Sequence, residues 1–166
     1  MNDDAIRGIF KGSFLFSKLG DRELDELIAL GSYRRFDRDQ VIFSRGASSE
    51  KLYAVLLGRI RIIAYSDDGN EIILRMIGAS EVFGEIGVLD GGERTATAIA
   101  SEKTEVLVVE RKTILTLIEK NPTLAIKFLS AVAGRLRTTT EQLEDLDFLD
   151  VPTRLPGTGE YVSFEV

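Results

Sequence analysis

Three kinds of hydrophobic spacing follow one another along the chain. Between Asp3 and Gly31 the apolar positions Ile6, Ile9 and Phe10, then Leu24, Leu27, Ile28 and Leu30, recur at helical steps. This predicts two short helices, with Asp21 as a cap and Gly31 as a stop. From Tyr33 to about Glu110 the helical period gives way to short aliphatic and β-branched runs: Val41 to Phe43, Leu52 to Leu57, Ile60 to Tyr65, Ile72 to Ile77 and Thr104 to Val109. Turn signals separate them, at Arg45-Gly46, Leu57-Gly58, Asp67-Asp68-Gly69-Asn70 and Ile77-Gly78, and place glycine where a positive φ is cheap. Many short, closely spaced strands predict an antiparallel barrel or jelly roll. Helical spacing returns over Lys112 to Glu119, breaks at Asn121-Pro122, and resumes with Pro122 in a favoured first-turn position.

The last helix, expected over Pro122 to Leu149, is the longest element. Its apolar seam reads Leu129, Val132, Leu136, Thr139, Leu143, Leu146, with alternating steps of three and four residues through most of its length. One reading packs this face on the chain's own barrel. However, a helix of about 40 Å at about 1.5 Å per residue outreaches a small barrel, which favours pairing with a second copy. Thr139 interrupts the seam with a hydroxyl that costs stability unless it meets a partner or a ligand.

The resulting class is α+β: an antiparallel β jelly-roll barrel with N-terminal helices and a long C-terminal dimerisation helix. Residues 1 to 150 read as one domain, and 151 to 166 as a hinge remnant and disordered tail. At 166 residues, with 44% hydrophobic and 29% charged residues, the chain has the make-up of an ordinary globular domain. The zero counts narrow its chemistry further. Without histidine or cysteine it has no imidazole or thiolate for a metal, a haem, an iron–sulfur cluster or a nucleophile. A net charge of −6 argues against a broad nucleic-acid surface, so any bound anion needs a local site. Asp3, Asp4 and Arg7 interrupt any apolar leader, and a cytoplasmic location follows.

One segment carries candidate chemistry: Phe83-Gly84-Glu85-Ile86-Gly87-Val88-Leu89-Asp90-Gly91-Gly92-Glu93-Arg94-Thr95-Ala96-Thr97-Ala98. A short apolar run after Gly84 can make one or two helical turns, whose exposed N–H groups and dipole favour an anion. Arg94 offers a planar fork that matches two phosphate oxygens. Glu85 can accept hydrogen bonds from ribose hydroxyls. Small residues such as Ala96 and Ala98 let the backbone approach a ligand. On spacing alone, a glycine-rich turn with a surface Glu–Arg pair fits as well.

Read as Phe-Gly-Glu, an aliphatic stretch, then Arg-Thr-Ala, the segment resembles the phosphate-binding cassette of cyclic-nucleotide-binding domains. From about Phe14 to Leu155 the order of elements is similar to the sensor half of the catabolite activator (Crp/Fnr) family of transcription regulators. The hairpin from Gly58 to Leu74 resembles that family's barrel pattern, and Phe148-Leu149-Asp150-Val151 with Arg154 resembles its hinge. The resemblance implies a non-enzymatic cyclic-nucleotide sensor, with cAMP or cGMP as ligand and no metal. It implies Glu85 on the ribose 2′-hydroxyl and Arg94 on the cyclic phosphate, with Gly84, Ile86, Thr95 and Ala96 lining the same group. Leu74 and Arg75 would flank the purine, with Ile62 nearby. Thr139 and Thr140 would reach the base and favour cAMP. Leu74 and Ile62 also read as plain core, and Arg75 as a solvated strand charge. The resemblance further implies a homodimer through Leu129, Val132, Leu136, Leu143 and Leu146, and no membrane partner.

A member of that family is expected to continue into a helix–turn–helix that enters the major groove. The stretch from Val151 to Val166, with Pro152, Pro156, Gly157 and Gly159, is too short and too rich in helix breakers for one. DNA binding is therefore expected only through a further C-terminal domain, and the hinge-like stretch favours a truncated regulator. Leu155-Pro156-Gly157-Thr158-Gly159 fits a sortase pattern but stands without its expected flanks, and is set aside. Two other readings compete. One is a cupin-type enzyme, which the absence of histidine disfavours. The other is a free-standing or degenerate dimerisation domain that senses another anion or no ligand.

Overall fold

The computed structural model describes residues 3 to 147, and the side chains of residue 139 and residues 141 to 147 are outside that description. The hinge-like stretch, the tail and the seam side chains Thr139, Leu143 and Leu146 therefore lie outside the described residues. The order of elements is α1 (Asp3–Gly12), α2 (Asp21–Ala29), β1 (Ser32–Phe36), β2 (Val41–Phe43), β3 (Lys51–Leu57), β4 (Arg59–Tyr65), β5 (Glu71–Gly78), β6 (Val82–Phe83), α3 (Glu85–Asp90), β7 (Thr97–Ala100), β8 (Thr104–Glu110), α4 (Arg111–Lys120) and α5 (Thr123–Asp147). Packing divides the chain into two compact units, Met1–Ala131 and Val132–Val166. The described part of the second is helix throughout.

Nearly continuous buried runs on β3, β7 and β8 build the first unit as a jelly roll. Two four-stranded antiparallel sheets, in the orders β1-β8-β3-β6 and β2-β7-β4-β5, enclose the core. The facing side chains are Tyr53, Val55, Ile60, Ile77, Phe83, Ala98, Val106 and Val108, with Phe36, Ile42, Phe43 and Ile62 packed against them. Each strand on its own is too short to be stable, so burial between two sheets holds the set together. The expected runs all appear as strands. Strands β1, β6 and β7 join them; β6 is only two residues long, and β7 is the run Thr97-Ala98-Ile99-Ala100, all buried.

The helices form a second apolar cluster beside the barrel. Phe10 meets Phe16 edge to face at 5.2 Å, and Phe16 meets Phe128 of α5 in the same way at 5.7 Å. Such pairs add to simple burial. Glu23 ties α2 to the start of α5: its carboxylate accepts from the Gly20 N–H (2.8 Å), Asn121 Nδ2 (3.0 Å) and Lys127 Nζ (2.7 Å).

Burial is the largest single influence on the Glu23 carboxyl and pushes its pKa up, but the donors from Lys127, Gly20 and Asn121 outweigh it and hold the pKa below the ordinary value. A folded-state value below the unfolded one means that the stabilisation is fully present above an unfolded pKa of about 4.3. It is lost as pH falls through the folded value. Glu23→Gln is expected to lower stability at neutral pH by roughly 1 kcal/mol and to make the loss of stability on acidification shallower. Urea unfolding from pH 7 to pH 3 measures both, and an acid profile parallel to wild type contradicts the assignment.

Candidate functional site

The chain leaves β6 through Gly84, whose φ of 81° is left-handed, and enters the six-residue helix α3, which ends on a second left-handed glycine, Gly91, at φ 72°. These two turns bound a very short helix on both sides. A Cβ at Gly84 would lie 2.7 Å from Nη1 of Arg94 and 3.2 Å from the Lys51 carbonyl oxygen, so glycine is required for space as well as for φ. From the first residue of α4, Arg111 Nε donates to the Val88 carbonyl at 3.0 Å and supports the far end of α3.

Arg94 is only 6% exposed and Glu85 only 7%. The Arg94 guanidinium donates through Nη1 to the Gly84 carbonyl at 3.2 Å and through Nη2 to the Lys51 carbonyl. Its Cζ stands 4.1 Å from the centroid of Phe43 and 5.8 Å from that of Tyr53. Tyr53 and Phe83 stack at 5.0 Å, and Phe43 leans on both at 5.7 and 5.9 Å. Ring faces attract a desolvated cation by about 2 kcal/mol, which offsets part of the cost of removing it from water. Burial pushes the guanidinium below its ordinary pKa, with Tyr53 and Glu85 opposing; an arginine remains cationic at neutral pH even so. Burial likewise pushes the Tyr53 phenol up, and Arg94 draws it back.

The backbone of Arg94 is clamped as firmly as its side chain. Its N–H donates to the Ala47 carbonyl and its carbonyl accepts from the Gly46 N–H, both at 2.8 Å, while Ser48 bridges Glu93 and the Arg45 N–H donates to Thr97 Oγ1 at 3.0 Å. One nitrogen remains unused: Arg94 Nε is buried and has no hydrogen-bond partner among the described residues. The site thus combines a fixed cation with a donor in reserve and a buried carboxylate one residue from the glycine cap. Such a set can hold an anion that also presents hydroxyls.

The other residues singled out from the sequence are distributed as follows. Ile86 is exposed, as is Thr95, and Ala96 is half-buried. Ile62 is half-buried on β4, in register with Ala98 on one side and Arg75 on the other. Between Ile62↔Arg75 and Ile63↔Ile73 the register shifts, so Leu74 is the extra residue of a bulge on an edge strand. It is 57% exposed and is not core. Arg75 Nη2 contacts Glu81 at 2.7 Å, and the other Glu81 oxygen accepts from the Gly78 N–H at 2.6 Å, so Arg75 is an ion-paired strand charge. Thr139 and Thr140 belong to the second unit, where Thr140 Oγ1 donates to the Leu136 carbonyl at 3.0 Å. Phe43, Tyr53, Arg111 and the Lys51 carbonyl were not foreseen. The two aromatics read as ordinary strand residues, and a main-chain carbonyl leaves no mark in a sequence.

Among the described residues no group of three or more histidine, cysteine, aspartate or glutamate side chains is placed to hold a metal ion. Among the same residues no helix is long and apolar enough to cross a membrane.

Residues 33–121 match the cyclic nucleotide-binding domain family. The chain is similar to the cyclic AMP receptor protein of Thermus thermophilus, with 35% identity over 87% of this chain and 67% of that one. It is also similar to a CRP-like cAMP-activated global transcriptional regulator of Mycobacterium tuberculosis, with 32% identity over 72% of this chain and 54% of that one. Among solved structures it resembles the N-terminal domain of a transcriptional regulator from Streptomyces coelicolor, with TM-score 0.74, 32% identity, and coverage of 81% of this chain and 94% of that one. The chain spans 54% to 67% of the length of these two curated relatives. Both are named as receptors or regulators and not as enzymes.

Arg94→Lys keeps the charge but loses the planar fork, so the Gly84 and Lys51 carbonyls cannot both keep a donor. A loss of about 2 kcal/mol in urea unfolding is expected, and an unchanged midpoint contradicts a guanidinium held in this way.

Proposed function

Because the chain belongs to the cyclic nucleotide-binding domain family, we propose that it is the cyclic-nucleotide sensor module of a Crp/Fnr-type transcription regulator, with cAMP as its ligand. The observation that carries this reading is the pairing of buried Arg94, with Nε unspent, and buried Glu85 on either side of the Gly84 cap. In this reading Arg94 meets the cyclic phosphate and Glu85 accepts from the ribose 2′-hydroxyl. Gly84, Ile86, Thr95 and Ala96 line that end. Ile62, Leu74 and Arg75 flank the purine, and Thr139 and Thr140 reach its edge and select cAMP over cGMP. Exposed Leu74 and half-buried Ile62 leave apolar surface for a base to cover.

The magnitudes agree with a small-ligand sensor. A hydrogen bond to a charged group is worth roughly 1.5–3 kcal/mol, whereas micromolar affinity requires about 8 kcal/mol. Arg94 and Glu85 therefore supply part of the binding free energy, and burial of the purine supplies the rest. The signal passes to a second copy through α5, where Leu129 and Leu136 are 65% and 64% exposed, and on to a DNA-binding domain in the part of the regulator that this chain does not span. The module works in the cytoplasm.

Calorimetric titration is expected to give micromolar binding of cAMP, at least tenfold weaker binding of cGMP, and at least a hundredfold loss of cAMP affinity in Arg94→Ala. No binding of either nucleotide below millimolar concentration would favour the degenerate dimerisation domain instead. For the dimer, sedimentation equilibrium should show the wild-type mass halved in Leu136→Glu; equal masses would remove the seam.

A further inference from the structure

In the β2-β7-β4-β5 sheet, one row of registered partners runs from strand to strand. Phe43 on β2 pairs with Ala98 on β7, Ala98 with Ile62 on β4, and Ile62 with Arg75 on β5. Partners in an antiparallel ladder put their side chains on the same face, and Phe43, Ala98 and Ile62 all belong to the core or pack against it. Arg75 is therefore a charge on the core-facing side of an edge strand, two residues from the buried Ile77. The other end of the row is the ring of Phe43, over which the Arg94 guanidinium lies at 4.1 Å. Three strand spacings separate the two ends, about 14 Å between main chains.

Arg75 does not stand alone. Its Nη2 donates to Oε1 of Glu81 at 2.7 Å, and Glu81 Oε2 accepts from the Gly78 N–H at 2.6 Å. Glu81 stands directly before β6, three residues ahead of Gly84. The two side chains are 49% and 40% exposed, so the pair can be reached from solvent. A guanidinium has more donors, and a carboxylate more acceptor sites, than these bonds use. An N–H donor and a carboxylate acceptor thus remain available side by side. Keeping an edge strand from pairing with another chain accounts for an inward charge. It does not account for a partner carboxylate fixed by both the arginine and a main-chain N–H.

A donor beside an acceptor matches one edge of adenine. There N7 accepts and the N6 amine donates, whereas guanine presents acceptors at both N7 and O6. We propose that Arg75 and Glu81 read the base together: Arg75 donates to N7 and Glu81 accepts from the N6 amine, so that Glu81 is a specificity-determining residue that rejects guanine by setting its carboxylate against O6. This proposal rests on the cyclic-nucleotide reading above, in which Arg94 takes the phosphate and Arg75 flanks the purine. Arg75 lies at the end of the row away from Arg94, where the base of a nucleotide anchored on that cation would reach. The N6 amine has a second hydrogen, so this contact adds to the one assigned to Thr139 and Thr140. A site built to accept a hydrogen bond discriminates well, because the wrong base leaves its acceptor unpaired.

Calorimetric titration of the full chain with cAMP, cGMP and cyclic inosine monophosphate tests the assignment. The inosine nucleotide has O6 but lacks the N2 amine of guanine, so it isolates the contact at O6. Wild type should bind it at least about tenfold more weakly than cAMP. In Glu81→Gln, whose amide can turn its donor toward O6, the preference for cAMP over either competitor should fall to about threefold or less. Arg75→Met should weaken cAMP and cGMP by a similar factor, about fivefold, because N7 accepts in both bases. A Glu81→Gln chain that loses affinity for all three nucleotides by the same factor has lost only a structural support, and overturns the proposal. Wild type that binds the inosine nucleotide within about twofold of cAMP overturns it without any variant. A wild-type chain that binds no cyclic nucleotide removes this proposal and the reading it rests on together. Binding by wild type with an unchanged base preference in Glu81→Gln removes this proposal alone.

Discussion

The architecture of the site depends on one constraint, the enclosure of the Arg94 guanidinium away from water. A cation placed there needs acceptors and a polarisable surface, or its burial costs the fold stability. It finds carbonyls at Gly84 and Lys51 and the ring faces of Phe43 and Tyr53. Those partners come from the cap of α3, from β3 and from β2, so a single side chain ties together three separate segments of the fold. Gly84 is glycine partly because Arg94 lies 2.7 Å from where a Cβ would be. Glu85 follows at once in the chain, and its carboxylate favours the buried cation.

The same constraint sets what the site can exchange. A guanidinium already bonded to main-chain carbonyls through Nη1 and Nη2 is held in place before any ligand arrives, which lowers the ordering cost of binding. A short helix between two left-handed glycines is the element best able to respond. Around it the jelly roll is comparatively rigid: interdigitated aliphatic side chains between two sheets have little room for small adjustments. The bulge at Leu74 breaks that regularity at the sheet edge, on a strand whose apolar side chains Ile72, Ile73, Leu74 and Met76 are all exposed.

The outline of this fold was legible in the sequence because its elements follow the two simplest periods. The strands over Ile60–Tyr65 and Ile72–Ile77, and the helices around Ile114 and Phe128, announce themselves through spacing and turn glycines. Strand order was not legible, since β1 pairs with β8 across a sequence separation that no local pattern records. The two-residue β6 is likewise too short to carry a period. At the site, Gly84, Glu85 and Arg94 stood out because each has an unusual job that few residue types can do. Leu74 did not separate from core by type, because the exposed stretch of the edge strand β5 is as aliphatic as a buried one, with Ile72, Ile73, Leu74 and Met76 all exposed.

The central claim is that Arg94 is held by the protein's own carbonyls with Nε unspent, and that a cyclic nucleotide engages this same group. The Nε–H resonance of Arg94, followed by nitrogen–proton correlation spectroscopy during a cAMP titration, tests it most directly. The account predicts a solvent-protected resonance in the free protein that shifts in proportion to nucleotide occupancy. A resonance that exchanges freely with water before cAMP is added, or that stays unmoved while the nucleotide saturates the protein, would contradict it.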